Sequence, residues 1–261
     1  MSELTLPTSV PTTVFGDALT MVGRTLRLSR RNLDALLTSL MLPVMLMVLF
    51  VYLFGGAIRT GGEYVTYVVP GVLLLCAGYG SSLTAVSVCV DMTGGIIDRF
   101  RSMDVGAASV LTGHVVASTV RNIASTVVVF GVAFLIGFRP HATPIGWLAA
   151  AGVLLLFIVA LSWLSAAIGL LVSSPEAASG FTFFIMFVPY PSSAFVPVAT
   201  MPSWIRGFAG HQPITEVVET LRGLLLGTPL GDHACLALAW SGGILVASIA
   251  VAGWLFGRRT H

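Results

Sequence analysis

The chain has 261 residues, 56% of them hydrophobic and only 9% charged, with a mean hydropathy of +0.95 and a formal net charge of +2. Soluble domains carry about 25% charged residues, so this composition cannot clothe a water-soluble globule and places the chain in a bilayer. A charge of +2 without any basic block leaves nothing to track a phosphate backbone, which excludes nucleic acid as a partner.

Residues Met1 to Val14, rich in Thr, Ser and Pro, carry no apolar run of signal-peptide type and are expected to form a cytoplasmic tail. Between Phe15 and Leu33, Leu19, Val22, Leu26 and Ser29 share one helical face while Arg24, Arg27, Arg30 and Arg31 fill another. That pattern suits a helix lying at headgroup level, so residues 1–33 are expected to be a tail and an interfacial amphipathic helix. About 20 apolar residues cross a hydrocarbon core of roughly 30 Å. Apolar windows, free of charge except for Arg121 in the third, then predict six spans, at 35–58, 64–90, 110–138, 147–172, 180–196 and 233–257. The turn Ser173-Ser174-Pro175-Glu176 is expected to close the fourth, and Pro189, Pro191 and Pro197 break the fifth. Residues 34–259 thus form one six-span unit in an all-α polytopic membrane protein.

An even number of spans puts both termini on one side. With that side cytoplasmic, nine arginines lie inside (24, 27, 30, 31, 99, 101, 121, 258 and 259) and four outside (59, 139, 206 and 222). The excess obeys the positive-inside rule, and the inverted topology violates it.

Spans two and three are joined by a charged island, Asp91 to Asp104, in which five of fourteen residues are charged. A short coupling helix beginning at Thr93 or Gly94 would gather Ile96, Phe100 and Met103 on one face, with Ile97 beside them, and turn Asp98, Arg99 and Arg101 elsewhere. Such an apolar knob with a polar rim is built to fill a cleft on another protein.

Arg121 lies about 17 Å past Val110 at 1.5 Å per residue. An arginine at mid-membrane costs roughly 2.5–3.5 kcal/mol on insertion scales. It is therefore expected either to snorkel to the cytoplasmic interface or to act as a gate paired with the aspartates of the island.

The stretch Met201 to Leu226 is too polar to cross a bilayer and too apolar for a free loop. Two short helices meeting at Gly210-His211-Gln212-Pro213 satisfy both constraints. Thr215 is expected to cap the second, with Val217, Val218, Leu221 and Leu224 on its apolar stripe. Glu219 and Arg222 stand at pairing distance on that helix, and Trp204 and Phe208 on the first serve as interfacial anchors or exit lining. A re-entrant hairpin of this kind, with irregular backbone tolerated only against protein or a water-lined cavity, would cap a passage from the outside.

Catalytic chemistry is not encoded. All thirteen basic residues are arginine, and a phosphate-binding loop needs a lysine to reach the β- and γ-phosphates, so the polypeptide does not hydrolyse ATP alone. Cys76, Cys89 and Cys235 make no disulfide framework or zinc spacing, and the five histidines show no metal-ligand pattern. No metal or cofactor is expected in the chain.

Three stretches resemble one family, the type-2 ABC exporter permeases of the daunorubicin-resistance kind. They are Asp98-Arg-Phe-Arg-Ser-Met103, Ser192-Ser-Ala-Phe-Val-Pro197, and Met201-Pro-Ser-Trp-Ile-Arg-Gly-Phe208, the last leading to Gln212-Pro-Ile-Thr215 and Leu221-Arg222-Gly-Leu-Leu-Leu-Gly227. Asp104 and His114 depart from the family's pattern. The resemblance implies a bacterial plasma-membrane exporter of hydrophobic drugs, polyketide glycosides or lipids. It also implies two copies of a separate ATPase carrying ATP and Mg, and a second permease, either a copy of this chain or a paralogue. Residues 96–101 and Met103 would couple to the motor, and Pro202, Trp204, Phe208, Pro213, Thr215, Glu219 and Arg222 would form the outer gate.

Two other classes compete. A proton-coupled carrier needs acids deep in the bundle, but all eleven acids, from Glu3 to Asp232, lie outside the spans or at their edges. An intramembrane enzyme would need a nucleophile elbow or a paired-carboxylate motif, and Gly78-Tyr-Gly-Ser-Ser82 does not match G-x-S-x-G.

Overall fold

The computed structural model describes residues 33–58, 62–94 and 107–259, and among these there is no strand. The expected tail and the interfacial helix up to Asn32 lie outside the described residues. Eight α-helices follow one another: α1 (Leu33–Leu49), α2 (Tyr64–Thr93), α3 (Ala107–Ile136), α4 (Pro144–Leu171), α5 (Pro175–Phe187), α6 (Ser203–His211), α7 (Pro213–Leu226) and α8 (His233–Arg259). Four of them, α2, α3, α4 and α8, are long and apolar enough to cross a membrane. The chain is therefore a multi-pass membrane protein.

Helix α1 runs without a break into a π-helical stretch, Phe50–Phe54. Pro43 lies inside it and lacks the N–H that would bond the carbonyl four residues back. Together the two segments form the apolar rod expected at 35–58, four residues shorter at its far end.

The fifth predicted segment is placed differently. Helix α5 begins at Pro175 and stops at Phe187 after 13 residues, about 20 Å at 1.5 Å per residue and short of a full crossing. Ser174 caps it by accepting the Ala177 N–H, and Pro175 fills the first turn, where its missing N–H costs nothing. The turn expected to close the fourth span therefore also starts the next helix. There the Glu176 carboxyl, held by its own backbone N–H and the Ser174 hydroxyl, titrates below the usual carboxylate range. The helix does not continue past Val188 because Pro189 and Pro191 remove two donors that the next turn would need. Residues 188–196 are turns instead.

Helix α2 is the axis of the bundle. It packs against α1, α3, α4, α5 and α7, and its buried positions run almost unbroken from Tyr64 to Ala85. Close approach is bought with glycine at two places. A Cβ on Gly71 would lie 2.5 Å from the Ala194 carbonyl oxygen, and one on Gly169 of α4 would lie 2.6 Å from that of Ala85. Small residues at such contacts let helix backbones approach where the solvent is itself hydrocarbon and hydrophobic burial between helices gains little. The two ends of the bundle are then distinct. The island end is where α2 stops and α3 starts; the hairpin end carries α6 and α7.

Candidate functional site

At the hairpin end the sequence-predicted residues fall into two sets. Helices α6 and α7 meet at Gln212, which stands between His211 and Pro213 as the sequence implied. Pro202 precedes the first turn of α6, and that helix lies on the surface with Trp204 81% and Phe208 60% exposed. Helix α7 is the buried partner. Its Val217, Val218, Leu221 and Leu225 are in the core, and Pro213 opens its first turn.

Thr215 does not cap α7. The helix starts two residues earlier, and the buried Thr215 hydroxyl instead donates to the Ala209 carbonyl of α6 while accepting the N–H of Ser193. It thereby ties α6, α7 and the 188–196 turns together. Gln212 reinforces the join by donating its side-chain N–H to the Pro191 carbonyl.

Arg222 locks this assembly onto α2. Its guanidinium lies 2.5 Å from Glu219, donates to the backbone carbonyls of Tyr67 (3.1 Å) and Ser193 (3.0 Å), and stacks 3.8 Å from the centre of the Tyr67 ring. The hydroxyls of Tyr64 and Tyr67 in turn donate to the carbonyls of Phe195 and Ser193. Glu216, almost fully buried, accepts from Nδ1 of His233 at 2.6 Å and so fastens α7 to the start of α8. The Glu219–Arg222 pair was legible from its spacing. Tyr64 and Tyr67 were not, because they lie 126 to 155 residues from the groups they meet, and Ser193 takes part through a backbone carbonyl, which carries no residue-specific signal.

At the island end, Ile96, Ile97, Asp98, Arg99, Phe100, Arg101 and Met103 lie outside the described residues. Their roots do not. Asp91 belongs to α2, Thr93 is the last residue of that helix and Gly94 its C-cap, and the coupling helix expected from there lies outside the described residues. Nε2 of His114, in the second turn of α3, lies 3.0 Å from Oδ2 of Asp91, and both side chains are largely buried. This hydrogen-bonded contact clamps α2 to α3 on either side of the island. The sequence offered only a hint of it, in a histidine at a place where the resembled family carries a basic residue.

Between the two ends lies a polar cluster that hydropathy cannot reveal. The hydroxyls of Ser81, Ser118 and Ser162 form a chain across α2, α3 and α4, and Asn122 donates to it and to the Ser118 carbonyl. Ser118 and Asn122, four residues apart on one face of α3, were the available signal. Arg121 stands beside them and donates to the Gly80 carbonyl of α2 at 3.1 Å. Taking the Asp91–His114 pair as a common level, Arg121 lies seven residues further along α3 and Gly80 eleven back along α2, about 10 Å and 16 Å away at 1.5 Å per residue. Its side chain thus leans toward the middle of the bundle, and does not snorkel to the island end. Asp91 is occupied by His114, so it is not the partner of Arg121 either.

An apolar cavity of about 240 Å³ opens between α3 and α4 under α7. It is lined by Leu73, Phe130, Trp147, Leu154, Leu221 and Leu225 among others. Ligand pockets for whole drug-sized molecules run to about 300–1,000 Å³, so this space holds a side group or chain at most. Among the described residues no cluster of three His, Cys, Asp or Glu could hold a metal ion.

Comparison with known proteins agrees with this architecture. The model of a family described as ABC-2 type transporter matches residues 17–226. The daunorubicin resistance ABC transporter permease protein DrrB1 of Streptomyces coeruleorubidus is 28% identical over 212 residues, covering 80% of this chain and 75% of that protein. A probable doxorubicin resistance ABC transporter permease protein, DrrC, of Mycobacterium tuberculosis is 24% identical over 230 residues, covering 87% and 83%.

Proposed function

Since this chain belongs to the ABC-2 type transporter family, it is the membrane-spanning permease subunit of an ATP-driven transporter, and we propose that it moves hydrophobic or amphipathic compounds outward. The family match across most of the chain carries this reading. The names of the relatives, permeases of daunorubicin and doxorubicin resistance, support an apolar or amphipathic drug-like or lipid cargo. The family implies an ATPase partner, and the absence of lysine from the whole sequence supports a motor site that lies entirely on that other chain. Two ATPase subunits carrying ATP and Mg and a second permease complete the proposed assembly.

The island end is the cytoplasmic end in this reading, supported by the arginine bias of nine inside to four outside. Six crossings require α1 with its π-helical extension, and α5 with the turns after it, to serve as the first and fifth. The exposed Phe183, Phe184 and Phe187 on α5 supply an apolar face toward a second permease. Residues 96–101 and Met103 dock on the ATPase, and the α6–α7 hairpin closes the outer mouth of the passage. A bacterial plasma membrane with both termini inside is the corresponding location.

The test is a double substitution, Phe100→Ala with Arg101→Ala, in the complex. Transport and motor binding are lost while membrane insertion is retained. Normal cargo-stimulated ATP hydrolysis in that variant would contradict the assignment of the island.

A further inference from the structure

Every arginine side chain described in the structure except one is quenched by protein. Arg139 donates to the Phe134 and Phe138 carbonyls and Arg206 to those of Ala199 and Met201. Arg222 has Glu219, two carbonyls and the Tyr67 ring, and Arg258 lies over Trp254. Arg121 differs in depth and in company. It stands fourteen residues from the start of α3 and fifteen from its end, and its one hydrogen bond goes to the Gly80 carbonyl. Its Nε is buried without a partner, as is that of Arg222, but Arg222 has a carboxylate, two carbonyls and a ring around the rest of its guanidinium. A guanidinium carries five N–H donors and cannot give up its charge, so most of the donors of Arg121 remain unanswered.

Among the carboxylates whose side chains the structure describes, none is left to answer them. Asp91 is held by His114, Glu216 by His233 and Glu219 by Arg222. Glu63, Glu176 and Asp232 are exposed at helix ends or in loops. An intramembrane ionisable group is costly and marks a substrate or ion path where it persists. The residue is not fully sealed off, for it keeps partial exposure and its neighbours Val120 and Ala124 on α3 are exposed. On α2, Leu83 and Ser87 follow Gly80 by three and seven positions, which places them on the same face, and they are partly or wholly exposed too. A cation at mid-depth is therefore flanked by an open, mostly apolar strip.

The geometry points to Arg121 as the anion-binding residue of the transport path, taking the phosphate or carboxylate group of an anionic amphiphile whose hydrocarbon part lies along the α2–α3 strip. Both groups match the guanidinium fork and accept two parallel N–H bonds from it. This assignment rests on the reading of the chain as an exporter of amphipathic compounds and narrows its cargo class. Hydrocarbon flanking the charge favours an amphiphile over a free ion.

The test uses the purified full-length permease in a neutral detergent, followed by thermal unfolding, with dodecyl phosphate as probe. The wild type shows a saturable upward shift in unfolding temperature; dodecyltrimethylammonium and inorganic phosphate alone do not produce it. Arg121→Gln loses the shift. Arg121→Lys, which keeps the charge but not the fork, binds at least roughly tenfold more weakly, the worth of one charge-assisted hydrogen bond. Arg139→Gln, at an exposed arginine, leaves the shift unchanged. An equal shift from inorganic phosphate would assign the site to a free anion and overturn the amphiphile. An undiminished shift in either Arg121 variant would overturn the site itself. The measurement needs neither ATPase nor transport, so its failure leaves the exporter assignment standing, and a failed Phe100/Arg101 test leaves the binding result readable.

Discussion

Replacing Arg222 by Ala should cost the hairpin end more than any other single truncation there. The side chain contributes two charge-assisted hydrogen bonds, to the Tyr67 and Ser193 carbonyls, worth about 1.5–3 kcal/mol each. The lower figure applies, because Ser193 keeps the Tyr67 hydroxyl and the Tyr67 carbonyl keeps its place in the α2 hydrogen-bond ladder. Stacking over Tyr67 adds about 0.5–1 kcal/mol. The Glu219 pair adds little beyond that, for the Glu219 side chain is 28% exposed and solvent screens it to well under about 1 kcal/mol. The loss comes to about 4 kcal/mol. For a chain of 150–250 residues each kcal/mol moves the unfolding temperature by about 2–4 °C, so a fall of about 8–16 °C is expected for the detergent-solubilised protein, read by tryptophan fluorescence. Glu219→Gln should shift it by about 3 °C or less. If Arg222→Ala falls no further than Glu219→Gln, the guanidinium is held by its surface pair alone and the α2 lock does not exist.

Three other substitutions probe the remaining joints. Asp91→Asn removes the carboxylate of the clamp but keeps an oxygen that can accept from His114, so the cargo moved per ATP hydrolysed in the reconstituted complex should drop while the unfolding temperature changes by only a few degrees, the change amounting to one hydrogen bond of about 1 kcal/mol; an unchanged ratio would mean that the clamp does not matter to coupling. Gly71→Val forces side-chain atoms onto the Ala194 backbone, and overpacking of this kind costs about 1–3 kcal/mol, visible as earlier unfolding and as faster proteolysis within residues 188–200. Asn122→Leu loses the donors to Ser81 and Ser118 but also removes a buried oxygen that has no partner. Its cost should therefore stay within the roughly 0.6–1.7 kcal/mol measured for interhelical hydrogen bonds in membranes, and a collapse in yield would show the cluster to be worth more.

Hydropathy made α2, α3, α4 and α8 legible to within three residues at each end, because a long apolar window and a bilayer-spanning helix are set by the same length. It failed at α5 for a related reason. A window without charge says nothing about where backbone donors run out, and Pro189 and Pro191 end the helix well inside that window. Thr215 was misread because a threonine before an apolar run resembles an N-cap, whereas the preference of proline for the first turn already placed the start at Pro213. The Asp91–His114 clamp leaves only the histidine as a local trace, and the tyrosine anchors leave none. Such contacts depend on which helices become neighbours, and only the fold decides that. The depth of Arg121 was legible from counting residues; the direction of its side chain was not.

What joins the two ends is a single rod. Helix α2 spans 30 residues, about 45 Å at 1.5 Å per residue. At one end Asp91 holds it to α3 beside the island. At the other, Tyr64 and Tyr67 hold the 188–196 turns, Arg222 reaches back to the Tyr67 carbonyl, and the Gly71–Ala194 contact leaves no slack between them. Pro70 lies inside this helix, one turn from Tyr67, and removes a ladder hydrogen bond at the level where the hairpin is attached. In the proposed coupling, a push on the island end would reach the hairpin through one stiff element that has one weakened turn, and that turn lies next to Arg222. Bending at Pro70 would move the Tyr67 carbonyl against the guanidinium first, so the contacts that hold the hairpin to α2 are the ones that any motion of α2 must disturb.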